Sequence, residues 1–176
     1  MSKSDDEEDK IKVDIVRELS ADFDLVPEVE GKHLIEDKKV IIDFLARPKS
    51  HLVANDFDEA WFGIEAKKID PSKGSSINRL FWQCLSYSQS EFNIEGSIIR
   101  PMFVLACVDV LPKYGDPKFN EWQAVRCFVQ YGNVGVLELA PAWRIVFGAA
   151  SPYYSKKRGK NNVTNLGTNR YVGTWK

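Results

Sequence analysis

The sequence predicts an α/β (α+β) domain with a central mixed β-sheet flanked by helices. Two segments carry apolar side chains at helical spacing, and several short β-branched and apolar runs have the length of strands. The two kinds of segment follow one another as helix, strands, helix and strand, which is typical of a layered domain. The composition agrees, because 44% hydrophobic and 28% charged residues are usual for a globular chain.

The first half of the domain is predicted to be one helix followed by three strands. Residues 11–21 place Ile11, Ile15 and Leu19 at i, i+4 and i+8, the apolar stripe of an amphipathic helix. β-Branched and aromatic residues then favour extended structure, although Pro27 interrupts the first run. The strands are expected at residues 24–30, 39–46 and 61–69.

The second half begins with another amphipathic helix, expected at residues 77–90, whose N-cap is Ser75 or Ser76. Its apolar positions recur at i, i+3, i+4, i+7 and i+8: Ile77, Leu80, Phe81, Cys84 and Leu85. The nearly continuous apolar run at 101–111 indicates a buried strand. A helix at 117–130 and a strand at 134–139 complete the predicted core.

Charge divides the chain into three parts. Residues 1–10 carry five acids and two lysines, and this composition predicts a disordered acidic leader. Residues 11–150 are expected to form a single domain. Residues 151–176 contain no acid and form a basic C-terminal extension, which is either a solvated tail or a segment that binds phosphates. Its first basic residues are Lys156, Lys157, Arg158 and Lys160.

Several classes of protein are excluded by the composition. The three cysteines, Cys84, Cys107 and Cys127, are odd in number and widely spaced, so they suit neither a disulfide framework nor a zinc site. We therefore expect a reducing, cytoplasmic setting, or the host cytoplasm if the protein is viral. No apolar run is long enough for a membrane-spanning helix, so no membrane association is expected.

The candidate functional residues lie on two consecutive predicted strands. The first strand contains one acid, and the second contains a Glu-x-Lys motif. Asp43 lies in VIIDFLA, and Glu65 and Lys67 lie in FGIEAKK. Because side chains alternate along a strand, Glu65 and Lys67 share one face. If the two strands are neighbours, Asp43 can lie beside Glu65, and the two carboxylates then need a counter-charge.

A divalent cation can supply that charge, since carboxylate and carbonyl oxygens suit Mg²⁺ or Mn²⁺. The predicted ligands are Asp43, Glu65 and the backbone carbonyl of Ala66. Such a site has the parts for phosphodiester hydrolysis, in which Lys67 positions the attacking water or stabilises the developing charge. The simpler interpretation is that these residues are ordinary charges on the solvent face of a sheet.

The segments VIIDFLARP and FGIEAKK, followed by a helix containing QCLSY, resemble the PD-(D/E)xK nuclease superfamily. The resemblance covers about residues 11–110 and implies a restriction-endonuclease-like core of the order αβββαβ. Asp43, Glu65 and Lys67 match the acids and the lysine of the motif, and Ile42 stands where the motif has proline. The Gln-x₃-Tyr spacing is similar to the RecB-like and lambda-exonuclease-like branches.

The resemblance implies catalytic roles for Asp43, Glu65, Lys67 and Gln83. Gln83 would hold the lysine, a water or a phosphate, and Tyr87 would touch the nucleic-acid backbone. An acid from the first helix often approaches the metal in this superfamily. Glu18 is the candidate here, with Asp14 or Glu30 as alternatives.

The expected function is that of a Mg²⁺- or Mn²⁺-dependent nuclease that acts on DNA, alone, as a homodimer or with a protein partner. The alternative is a non-catalytic module that binds nucleic acid or protein on a nuclease-like fold, within a phage or nucleoprotein assembly. A third interpretation is a structural protein whose acids are simply exposed.

Overall fold

The computed structural model describes residues 3–69, 74–116, 119–148, 152–157 and 159–160. The helices are α1 (Lys3–Leu19), α2 (Ser50–Val53), α3 (Gly74–Ser88) and α4 (Phe119–Val129), and a 3₁₀ turn (Gln130–Gly132) follows α4. The strands are β1 (Phe23–His33), β2 (Lys39–Pro48), β3 (Phe62–Lys67), β4 (Ser90–Ile94), β5 (Ser97–Ile99), β6 (Val104–Val108), β7 (Val134–Glu138), β8 (Arg144–Val146), β9 (Pro152–Ser155) and β10 (Gly159–Lys160).

Within the described ranges the strands form one ten-stranded sheet, in the order β10-β9-β8-β7-β6-β3-β2-β1-β4-β5. The central strands β3, β6 and β7 are parallel, and the other neighbouring pairs are antiparallel. Parallel neighbours need a long crossover, which α3 supplies between β3 and β6 and α4 supplies between β6 and β7. The sheet is therefore mixed and flanked by helices, which confirms the predicted class at this level.

Each face of the sheet carries its own hydrophobic cluster. On one face α1 buries Ile11, Ile15 and Leu19, the three positions that the sequence spacing predicts. On the other face α3 and α4 bury Ile77, Leu80, Phe81, Cys84, Trp122 and Val129. The apolar stripes of the helices thus determine which side of each helix meets the sheet.

The first helix is longer than its apolar stripe indicates. It begins at Lys3, so residues 3–10, for which the composition predicts a disordered leader, form its first turns instead. The acids that suggest disorder also favour a helix N-terminus, where the positive end of the helix dipole lies. Among the described residues, no helix is both long and apolar enough to cross a bilayer.

The β4–β5 hairpin is an element that the sequence analysis missed. Ile94 pairs with Ser97, and the two residues between them, Glu95 and Gly96, have φ angles of 50° and 86°. Two-residue hairpin turns with positive φ at both central positions match the twist of the strands. The usual signal is Asn-Gly or Asp-Gly, and Glu-Gly is a weaker form of it.

The sheet continues beyond the predicted end of the domain. Strands β9 and β10 extend it to Lys160, so the boundary at residue 150 is wrong for this part of the chain. Tyr153 and Tyr154 are buried in the cluster under α1, and Tyr154 stacks on Trp143. These two rings therefore belong to the core. Residues 161–176 lie outside the described residues.

Candidate functional site

The register of β2 and β3 brings the two predicted acids together. Phe44 pairs with Ile64 in an antiparallel ladder, and the next position of the same register sets Asp43 opposite Glu65. The backbone N–H of Ala66 donates to Oδ2 of Asp43 at 2.8 Å, so the Asp43 side chain continues the connection between the strands. The predicted adjacency of the two strands is therefore present.

A local irregularity in β2 directs the Asp43 side chain to this position. Ile42 packs in the cluster under α3, whereas Phe44 packs in the cluster under α1. Residues two apart in a regular strand share a face, so the strand is distorted between them. On β1 the residue opposite Asp43 is Glu28, whose φ is 49°, and this pair is missing from the otherwise continuous ladder.

The Glu65 carboxyl is buried, with only 6% of the residue exposed. Burial, together with the negative charge and hydrogen bond of Asp43, raises the pKa of Glu65 to about 8. Near neutral pH Glu65 therefore keeps its proton and donates it in the hydrogen bond to Asp43. A divalent cation that bound both carboxyl groups would take the place of this shared proton.

Helix α3 covers the acid pair with Cys84 and Tyr87. Burial and the nearby carboxylates of Glu65 and Asp43 raise the pKa of the Cys84 thiol and that of the Tyr87 hydroxyl. Tyr87 is 8% exposed and packs edge-on against Phe92. The ring of Tyr87 thus lies in the core, and its contact with a nucleic-acid backbone stays a prediction.

Gln83 lies one turn before Tyr87 on α3, and the two side chains are hydrogen-bonded. No donor among the described residues reaches the buried Oε1 atom of Gln83. A buried amide oxygen without a partner is costly, so its retention in a site calls for an explanation such as a water or an ion. Gln83 and Tyr87 are therefore linked on the same helix that covers the acid pair.

Two residues of α1 complete the site, and the sequence analysis missed both. The Nζ atom of Lys12 lies 2.6 Å from Oδ1 of Asp43. The Nζ atom of Lys67 lies 2.8 Å and 3.0 Å from the two carboxylate oxygens of Glu8. Glu8 and Lys12 are at i and i+4, so they share a stripe of the helix beside Ile11. The i, i+4 spacing of an acid and a lysine next to the buried Ile11 is the feature of the sequence from which the two residues could have been found.

The acid of α1 that approaches the site is Glu8, and the expectation of Glu18 is wrong. Glu18 accepts a hydrogen bond from Arg17 at 3.0 Å and lines a separate cavity of about 690 Å³. The alternative Asp14 also pairs with Arg17. The other alternative, Glu30, pairs with Lys39.

The basic residues near the C-terminus lie away from the acid pair. Lys156 is 2.9 Å from Asp22, which precedes Phe23. Phe23 pairs with Pro48, five residues along β2 from Asp43, or about 16 Å at the rise of a strand. Lys157 is exposed. Arg158 and the side chain of Lys160 lie outside the described residues.

The donor set around Asp43 suits a hard divalent cation. The carboxyl groups of Asp43 and Glu65 converge there. The N–H of Ala66 faces Asp43, and an extended residue directs its N–H and C=O to the same edge, so the Ala66 carbonyl faces that side too. In the described ranges no group of three or more His, Cys, Asp or Glu residues is placed to hold a metal ion, so water would supply the remaining ligands.

The charges of this site are balanced by its own residues. Asp43 and Glu8 are each paired with a lysine, and Glu65 keeps a proton.

Compared with protein-family models, with curated proteins and with solved structures, the chain matches none.

Proposed function

We propose that this protein is a metal-dependent nuclease of the PD-(D/E)xK type that hydrolyses phosphodiester bonds of DNA. The observation that supports the proposal most directly is that Asp43, Glu65 and the backbone of Ala66 meet at one edge of β3. Lys67 follows two residues after Glu65. A buried carboxyl group whose pKa is raised by a neighbouring acid is a frequent feature of functional sites, and carboxylate oxygens are ligands that suit a divalent cation.

The order of elements supports the same assignment. The helix α1 is followed by β1, β2 and β3, with the short helix α2 inserted between β2 and β3. Then come α3 and the parallel strand β6, with a hairpin inserted before β6. This order resembles the αβββαβ core of restriction endonucleases. The two acids of the motif, Asp43 and Glu65, lie on β2 and β3 of this order.

Each residue has a defined task in the proposed reaction. Asp43, Glu65 and the Ala66 carbonyl would hold Mg²⁺ or Mn²⁺. Such an ion would supply Lewis-acid chemistry, polarising the phosphate and lowering the pKa of a water molecule. Lys67 orients the attacking water and stabilises the charge that develops on the phosphate oxygens. Gln83 orients the ligands from α3, and Tyr87 holds the Gln83 amide in place.

DNA binding draws on basic residues outside the acid pair. Lys157 is the exposed candidate, and Lys156 would have to leave Asp22 to reach a phosphate. Arg158 and Lys160 complete the proposed group. Lys156 lies beside Asp22, at the end of β2 that is about 16 Å along the strand from Asp43, so it would contact the duplex away from the cleaved bond. A homodimer or a protein partner would extend this contact surface.

A non-catalytic module is the second candidate, and one observation favours it. The ion pairs of Asp43 with Lys12 and of Lys67 with Glu8 leave the site charge-balanced without a metal. In a protein that has lost catalysis, such pairs would be the permanent state. This candidate predicts DNA or protein binding without hydrolysis.

The test is a cleavage assay with Mg²⁺ or Mn²⁺ on linear, circular and branched DNA. We expect cleavage by the full chain and a loss of about 100-fold or more in Lys67→Ala. Lys38→Ala is the matched control, because that lysine is exposed and pairs with Glu36 away from the site. Cleavage that persists in both Glu65→Gln and Lys67→Ala would reject the nuclease assignment. Binding without cleavage would favour the second candidate.

A further inference from the structure

Helix α1 presents to the site one charge of each sign, and each meets a site residue of the opposite sign. Glu8 contacts Lys67 with both carboxylate oxygens, and Lys12 contacts Asp43 at 2.6 Å. The two residues are four apart and therefore lie one above the other on the helix. One turn of α1 thus contacts both Asp43 and Lys67 of the proposed centre.

Each contact imitates a ligand of the proposed reaction. The Lys12 ammonium is a cation placed against Asp43, where a divalent ion would bind. The Glu8 carboxylate offers Lys67 two anionic oxygens, as a phosphate would. The side chains of Glu8, Lys12 and Lys67 are each about one quarter exposed, so they can move without unpacking the helix.

Lys12 also has a second acceptor within reach. Oε1 of Glu28 lies 3.8 Å from Nζ of Lys12, and the Glu28 side chain is exposed. Lys12 can therefore leave Asp43 and keep an ion pair with Glu28 at the surface. Meanwhile Ile11 and Ile15 remain buried and hold α1 against the sheet.

We infer that Glu8 and Lys12 form an electrostatic latch that sets the affinity of the site for its metal and its substrate, an inference that rests on the proposed function. Lys12 competes with the divalent ion for Asp43, and Glu8 competes with a DNA phosphate for Lys67. A competitor that binds only the empty site lowers the apparent affinity of the ligand it excludes. Each ion pair of the latch therefore opens as the concentration of its own competitor, the metal or the DNA, rises.

The first test measures the dissociation constant of Mn²⁺ by titration calorimetry. We expect Lys12→Met to bind Mn²⁺ about tenfold more tightly than the wild-type protein. Lys10→Met is the matched control, because it removes the same charge from the same helix at an exposed position that lines the other cavity. Lys12→Gln is the second variant, and thermal unfolding without metal checks that each variant is folded.

The second test measures DNA binding by fluorescence anisotropy in EDTA, where no hydrolysis takes place. We expect Glu8→Gln to bind a labelled duplex several-fold more tightly than Glu18→Gln, which removes the same charge from α1 away from the site. Unchanged or weaker Mn²⁺ binding in both Lys12 variants overturns the latch but leaves the proposed function standing. Weaker Mn²⁺ binding in Glu8→Gln also overturns it, because Glu8 would then be a metal ligand. If no variant with Asp43 and Glu65 intact binds Mn²⁺, the proposed function itself fails.

Discussion

Glu65 and Asp43 face each other across β3 and β2, and their carboxyl groups share a hydrogen bond. Among the residues that the structure describes, no arginine pairs with either acid. Asp43 instead receives the ammonium of Lys12 and the N–H of Ala66, whereas Glu65 retains a proton. The difference between the two acids follows from their surroundings, since Glu65 is the more deeply buried of the pair. Four measurements follow from this arrangement and from the core around it.

The pH dependence of stability reports directly on Glu65. Its pKa in the folded protein is about 8, against an ordinary value of 4.5, so the folded state holds an extra proton between these values. The free energy of unfolding should therefore fall as pH rises from about 4.5 to 8, by at most about 1.4 kcal/mol per pH unit from this group. In Glu65→Gln that contribution should vanish.

Urea unfolding of wild type and variant at pH 5 to 9 measures the difference. Glu18→Gln is the control, because it removes a half-buried carboxylate of α1 that pairs with Arg17 away from Asp43. Equal slopes in wild type and Glu65→Gln would contradict the raised pKa.

Metal binding should be linked to the same proton. Mn²⁺ needs ionised carboxylates, so its affinity should rise with pH up to about 8 and level off above it. At a concentration 100 times the dissociation constant, binding should raise the melting temperature by roughly 5–10 °C. The shift, measured at pH 6.5 and 8.5, should disappear in Asp43→Asn. A shift that is the same at both pH values would show that Glu65 is not a ligand.

Gln83 should matter more for activity than for stability. Gln83→Leu removes a buried oxygen that lacks a donor among the described residues, but it also removes the hydrogen bond to Tyr87. These effects oppose each other, so we expect the free energy of unfolding to stay within about 1 kcal/mol of wild type. DNA cleavage should fall about tenfold or more. Gln89→Leu, at an exposed position just after α3, is the control for both measurements.

The core on the α1 side should be separable from the site. Nε1 of Trp143 donates to Oδ2 of buried Asp22 at 2.7 Å, and this bond connects β8 with the start of β1. Burial raises the pKa of Asp22, but hydrogen bonds from Trp143, Lys156 and His51 lower it overall. Trp143→Phe should cost about 1–3 kcal/mol in urea unfolding. The Mn²⁺ shift should persist, and its loss would show that the two regions are coupled.

The sequence predicts well what depends on neighbours in the chain. The stripe of Ile11, Ile15 and Leu19 specifies which face of α1 is buried. The apolar runs around Asp43 and Glu65 also indicate extended strands, and both are present. Such patterns reflect burial, which acts over two to eight residues and is therefore visible in a short window.

The C-terminal strands were not predictable in the same way. Arg144–Val146 and Gly159–Lys160 are too short to show a period, and they pair because the strands beside them are already in place. Tyr153 reads as an exposed aromatic next to basic residues, yet it is buried against Phe103 and Phe147. Long-range packing outweighs local composition at such positions.

By itself the sequence determined the class of the fold and the buried faces of the main helices. It also showed that an acid in one strand is followed by a Glu-x-Lys motif in the next. Only the tertiary structure decided that Asp43 lies opposite Glu65, that Tyr87 is buried, and that Glu8 and Lys12 hold the site in place of Glu18. Periodicity is a property of adjacent residues, whereas the partner of a charge is chosen by strand register and helix placement. Those depend on the packing of the whole chain.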